Sequence, residues 1–178
     1  MHGLRRTPRL PSVRVSCRLL SSFTKFYHVA GHGAKTVTTV TLPKLANPII
    51  TDVPVAMGGR NEGPEPVELL LASLCGCELV TAQFIARNMK PRVTIDHIDF
   101  DICASRDSRG ALTLPMSTDT ELPPSRLQRI WGTATLQTSA TDEEVRVLAA
   151  EVKRRCPVAN MVELSGCALE IEFKKKLS

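Results

Sequence analysis

The stretch Val67–Met89 constrains this chain more than any other. It reads VELLLASLCGCELVTAQFIARNM, apolar on nearly every side of a 3.6-residue period. A helix without a polar face must be covered by other elements, so the pattern predicts a central, buried helix around which the rest packs. Pro66 suits its first turn and Pro91 closes it. Ala72, Ser73, Gly76 and Ala82 thin the bulk along it. Cys75, Cys77 and Glu78 interrupt the hydrocarbon, and an acid in such surroundings needs a partner or water.

The remaining segments supply the cover. Lys35–Leu42 (KTVTTVTL) alternates β-branched residues and reads as a strand. Asn47–Val55 is a weaker strand, interrupted by Pro48 and Pro54, and Met57–Pro66 is a turn-rich loop. Val93–Ser105, Ala111–Leu122 and Ile130–Thr138 read as strands, the last two separated by Pro123-Pro124. Thr141 and Glu144 form a capping box that opens a second helix, with Val145, Leu148, Ala149 and Val152 as its apolar face. Pro157 stops or restarts it. Gly166–Phe173 is a final strand with Cys167, Leu169, Ile171 and Phe173 on one face, and Lys174–Lys176 reads as a solvated end. There is no internal repeat. Runs of strands with two long helices make an α+β domain.

Charge divides the chain unevenly. The first 51 residues hold eight Lys or Arg and no acid, whereas the rest holds fifteen basic and eighteen acidic residues. The basic pI therefore belongs to the N-terminus and the domain itself is mildly acidic. Arginines, serines and interleaved apolar residues from Leu4 to Phe23 read as a mitochondrial presequence; a disordered basic extension is the plainer reading. No continuous apolar stretch follows the arginines, which speaks against a secretory signal. The expected organisation is an extension over residues 1–33 and a domain over residues 34–178. Low aromatic content argues against a base-stacking surface, so no nucleic acid partner is expected. No apolar run is expected to reach the length of a membrane span, so no membrane is expected either.

Six cysteines, at positions 17, 75, 77, 103, 156 and 167, carry the candidate chemistry. In an intracellular compartment a cysteine is more often catalytic, metal-binding or buried than part of a structural disulfide. Cys77, flanked by small residues, is a core thiol or a thiol with room for a substrate beside it. Cys156 precedes Pro157 at a helix boundary. If a helix starts there its dipole favours the thiolate; if one ends there the dipole opposes it. Arg154 and Arg155 are near enough to favour a thiolate, or are simply a solvated helix face. Cys103 and Cys167 read as packing residues, as does Cys75. A zinc site from Cys75, Cys77 and Cys156 lacks the paired spacing such sites show, and His28, His32 and His97 form no ligand pattern. No metal or cofactor is expected. Trp131 reads as core or interface. Peroxide reduction by a thiol needs a thiolate, a cation that stabilises it and polarises the O–O bond, and a second thiol that traps the sulfenic acid. Cys77, Arg60 and Cys156 are candidates for these parts.

The segment GPEPVELLLASLCGC (Gly63–Cys77), followed far downstream by Cys156-Pro157-Val158, resembles the OsmC/Ohr family. The likeness runs over about residues 35–178. It implies an OsmC-like fold with antiparallel sheets around two long central helices, an intertwined homodimer, and active sites at the subunit interface. It also implies reduction of organic hydroperoxides through a disulfide relay that a dithiol reductant, a lipoyl group or a small thiol, resets. Cys77 takes the place of the reactive cysteine and Cys156 that of the resolving one; Arg60 is matched to the arginine that partners the thiolate. One departure stands out. Peroxidase members carry a glutamate directly after the proline of the first motif, where this chain has Val67. Glu68, the acid left to serve the site, points about 100° further around the helix. The chain thus resembles the less characterised OsmC-like branch, which keeps open a non-enzymatic small-ligand-binding or redox-sensing protein on the same fold. A fusion of residues 1–30 to a reporter is expected to enter mitochondria, and a reporter left in the cytosol would remove the presequence reading.

Overall fold

The computed structural model describes residues 23–116 and 121–176. The chain divides into two compact units, with the boundary between Gly63 and Pro64. Residues 1–22, most of the presequence reading and with it Cys17, lie outside the described residues.

The first unit is a three-stranded antiparallel sheet of β1 (Ala30–Ala34), β2 (Val37–Thr41) and β3 (Ile49–Thr51), in that order. Sequence reading gave most of β1 to the extension, because Gly31 and Gly33 look like linker. Pairing with β2, from Ala30 opposite Thr41 to Ala34 opposite Val37, makes it a strand; cross-strand bonding outweighs poor propensity. Pro48 and Pro54 confine β3 to three residues. Beyond Pro54 a single 3-10 turn, Val55–Met57, leads into the loop that carries Arg60.

The second unit runs α1 (Pro66–Asn88), β4 (Ile95–Ser105), α2 (Arg109–Leu112), β5 (Arg129–Thr138), α3 (Asp142–Arg155), α4 (Pro157–Leu164) and β6 (Ala168–Lys175). Its sheet has the order β4-β5-β6. β4 and β5 are antiparallel, but β6 runs parallel to β5. The fold is thus α+β with one antiparallel and one mixed sheet, a correction to the expectation of antiparallel sheets. The parallel step needs a long crossover, which α3 and α4 provide. The strand expected over Ala111–Leu122 is absent among its described residues. The Ala111 and Leu112 N–H groups donate to the Ser108 carbonyl at 3.1 and 2.9 Å, closing the short helix α2 instead.

α1 buries one side only. Leu74, Ala82, Ile85 and Ala86 face the core, whereas Leu70, Val80 and Phe84 are 42, 68 and 56% exposed. A helix apolar all round was expected to be buried all round; within one chain, α3 and α4 cover a single stripe. Nor does the expectation of no membrane-length apolar run hold, for α1 is long and apolar enough to cross a membrane by length and composition, a test that core helices also pass.

α3 follows its sequence signals closely. The Thr141 N–H donates to Glu144 Oε2 at 2.7 Å, and the Glu144 N–H donates to Thr141 Oγ1 at 3.2 Å. Asp142, Glu143 and Glu144 sit in its first turn and Lys153, Arg154 and Arg155 in its last, each set favourable to the helix dipole. Val145, Leu148 and Val152 point into the core, where they meet Leu74, Ile130, Leu136, Cys156 and Ala159. The lysine run is less free than expected: Lys174 and Lys175 belong to β6, and Lys175 Nζ donates to the Ala140 carbonyl at 2.9 Å. Leu148 is fully enclosed, so Leu148→Ala should cost about 3 kcal/mol of stability. A lower urea midpoint at an unchanged slope is the expected reading.

Candidate functional site

Cys77 lies midway along α1 and is half-buried; Cys156 lies at the junction of α3 and α4 and is fully buried. These two thiols, 79 positions apart in the chain, are neighbours in the core, close enough for each to influence the other's charge. The junction explains the placement. A residue before proline is driven out of the helical region, and Cys156 has φ −69° and ψ 117°. It therefore ends α3 and caps α4 at once. Its Sγ accepts the Ala159 N–H at 3.5 Å. Asn160 Nδ2 donates to the carbonyls of Lys153, Arg154 and Cys156 at 3.0, 3.2 and 3.2 Å, satisfying the open end of α3.

Both dipole alternatives are thus realised together, and they oppose each other at one sulfur. Burial decides: it pushes the Cys156 thiol up to about 11, against the lowering effect of the Ala159 N–H, and the neighbouring Cys77 adds to the rise. Arg154 and Arg155 do not help a thiolate. Both guanidiniums bind Glu151, at 2.7 and 2.6 Å, on the solvated face of α3.

The other candidates take definite places. Glu68 closes the first turn of α1 by accepting the Glu65 N–H at 2.8 Å. Val67 forms part of the wall of an apolar cleft of about 530 Å³ between α1, α4 and the start of β5. Ser73 and Val158 also line it. Ser73 stands one turn, about 6 Å of helix rise, before Cys77, and Val158 is two residues past Cys156. Cys167 lies on the same wall and is buried, as expected of a packing residue. Cys103, by contrast, is exposed, because it falls on the outer face of β4, opposite Trp131 of β5. Trp131 is half-buried under the Arg129 guanidinium, 5.1 Å from the ring centre.

Arg60 belongs to the first unit, where its placement rests on Asp52. That carboxylate is fully buried and accepts the Arg60 and Glu62 N–H groups at 2.8 and 3.2 Å. Burial alone would raise its pKa; the hydrogen bonds, the Arg60 N–H foremost, hold it far below the usual range. Gly59 allows the turn, since a β-carbon there would fall 1.8 Å from the Val53 carbonyl oxygen. The exposed Arg60 side chain pairs with Glu62 at 2.7 Å. Sequence reading missed Asp52; its signal was an acid beside a β-branched strand and ahead of a Gly-Gly turn.

Glu78, next to Cys77, faces α3 and β6. It is 3% exposed, its Oε2 has no hydrogen-bond partner, and it lines a 270 Å³ hollow with Lys153, Glu170 and Phe173. No group of three or more His, Cys, Asp or Glu suited to a metal ion occurs among the described residues.

Residues 59–172 match the model of the OsmC-like protein family. Among solved structures, the chain is similar to an OsmC-like protein from Mycoplasma pneumoniae, at 20% identity and TM-score 0.67 over 86% of this chain and 99% of that one. It is also similar to an organic hydroperoxide resistance protein OsmC from Legionella pneumophila, at 14% identity and TM-score 0.60 over 86% of this chain and 100% of that one. For OhrB, the organic hydroperoxide resistance protein of Bacillus subtilis, the values are 13%, 0.56, 85% and 98%. These likenesses show a shared fold. No curated protein matches the sequence.

Burial raises the Glu78 carboxyl to about 7 from an ordinary 4.5. Between those values the folded chain holds more protons than the unfolded one, so stability falls as pH rises through the window. Glu78→Gln should flatten that slope, by about 3 kcal/mol across the window. Urea midpoints at pH 5 and pH 8 measure it; equal slopes in both proteins would contradict the assignment.

Proposed function

We propose, for a chain that belongs to the OsmC-like protein family, the chemistry of a thiol peroxidase acting on organic hydroperoxides. The observation that carries the reading is the contact between Cys77 and Cys156. In the proposed cycle the Cys77 thiolate attacks the terminal oxygen of ROOH. The O–O bond breaks, RO⁻ leaves and takes up a proton, and Cys77 becomes a sulfenic acid. Cys156 then displaces hydroxide as water, forming the Cys77–Cys156 disulfide. A dithiol, a lipoyl group or a small thiol reductant, returns both thiols and leaves as its own disulfide.

The geometry supports a division of labour. Cys156 keeps its proton because it is buried, and so offers an S–H donor to the Cys77 sulfur. It is also close enough to trap a sulfenic acid before further oxidation. Arg60 carries the cation's role by family likeness alone, with Asp52 fixing its loop. Glu68 stands ready only as far as its capping bond allows. A homodimer and a mitochondrial location complete the reading. The apolar side chains of Leu70, Val80 and Phe84 left open on α1 are the kind of surface a second copy covers.

A second reading has its own observation. Val67, on the cleft wall, puts hydrocarbon where peroxidase relatives have a carboxylate, which fits a protein that binds a small apolar ligand without turning it over. Intact-mass measurement separates the two. After one equivalent of an organic hydroperoxide, the peroxidase loses two hydrogens as the disulfide closes. Cys156→Ser should gain oxygen instead, and Cys77→Ser should not react. A wild-type mass that stays unchanged leaves only the binding protein.

A further inference from the structure

The thiol cycle outlined above leaves Glu78 without a task. The hollow it lines, about 270 Å³ between α1, α3 and β6, shares no lining residue with the apolar cleft. Ala149 and Ala150 of α3 and Leu169, Ile171 and Phe173 of β6 give it hydrocarbon walls. Glu78 meets that space with a side chain only 3% exposed, and its Oε2 has no hydrogen-bond partner among the described residues. An apolar side chain of similar size would fill the position without the desolvation cost of a buried carboxyl.

The other charges around the hollow are already paired. Lys153 of α3 binds Glu163 of α4 at 2.9 Å. Glu170 of β6 accepts from Nη2 and Nε of Arg129 at 2.6 and 2.9 Å. On its own helix Glu78 stands one turn from Cys75, whose thiol is raised first by burial and then by the Glu78 charge. None of these groups neutralises the Glu78 carboxyl. Burial brings it to about 7, so its carboxylate form is present at neutral pH and gains most from a positive donor.

A lone carboxylate among hydrocarbon walls matches a ligand with a positive, N–H-bearing head and a short apolar tail. Hydrogen bonds between an ammonium and a buried carboxylate are of the strong kind, and an aromatic ring on the wall also favours a cation. The volume falls just under the range of drug-sized sites, which keeps the tail short. Lys153 on the wall repels a second positive charge, which disfavours a diamine. We propose that Glu78 makes this hollow a binding site for small primary alkylammonium ions, with the head on the carboxylate and the tail against Leu169, Ile171 and Phe173. The site goes beyond the peroxidase reading and does not rest on it.

Titration calorimetry on the full-length reduced chain tests the site, using butylammonium chloride against butan-1-ol at matched ionic strength. At pH 8 the ammonium should bind at least tenfold more tightly than the alcohol, which has the same tail and no charge. Its affinity should fall about tenfold between pH 8 and pH 6, as Glu78 takes up a proton, while that of the alcohol stays level. Glu78→Gln keeps the shape and removes the charge, so it should bind both compounds alike at either pH. A preference for the ammonium that survives in folded Glu78→Gln places the head elsewhere and overturns the proposal. Equal affinities in the wild type, or no binding of either compound, overturn it too. That comparison uses no variant, so it stands even if the substitution prevents folding.

Discussion

Pro157 cannot continue the helix that arrives at Arg155. It has no N–H to give, and its ring forces the residue before it into an extended conformation. Cys156 therefore stands between two helix ends, with its backbone turned out of the α3 spiral and its sulfur turned inward. Much of the second unit's functional geometry follows from that turn. It aims the sulfur at α1, where Cys77 waits. It also sets the direction of α4, whose Val158, Met161 and Val162 become a wall of the cleft. Asn160 makes the break tolerable by binding the Lys153 and Arg154 carbonyls, which α3 would otherwise leave open.

Two electrostatic contests are settled at this junction, and in each the local arrangement beats the simple rule. A thiol at a helix N-terminus is ordinarily favoured as thiolate, by an effect of about 1 kcal/mol. Here the Ala159 N–H at the start of α4 acts in that sense, but burial outweighs it and raises the pKa. Nearness in sequence also misleads. Arg154 and Arg155 adjoin Cys156 but are occupied by Glu151. Arg106 and Arg126, 50 and 30 positions upstream of Cys156, are the cations that line the neighbouring cleft. Charge near a thiol is useful only when no carboxylate has already claimed it.

α1 joins structure and chemistry in one element. Its buried stripe fastens the unit together through Leu74, Ala82 and Ile85. The same helix carries Cys77 towards Cys156 and Glu78 towards α3 and β6, because successive residues are about 100° apart. A helix this apolar tolerates a buried acid only by shifting its protonation, as Glu78 does.

The sequence alone determined the α+β class, the long helix read over about Val67–Met89, the capping box at Thr141, the break at Pro157 and most strand positions. All of these rest on period, caps and proline, which act over a few residues. It also picked out Cys77 and Cys156, by motif. It could not determine that β1 pairs with β2, that β6 runs parallel to β5, that Ala111 and Leu112 close a helical turn, or that Cys103 is exposed. Those depend on which partner a segment meets across the fold. Only the tertiary structure brought the two thiols together, let burial outweigh the Ala159 N–H at Cys156, and placed Arg106 and Arg126 on an apolar cleft without an ion-pair partner among the described residues. Solvation and charge pairing are properties of surroundings assembled from distant segments, and a linear string does not carry them.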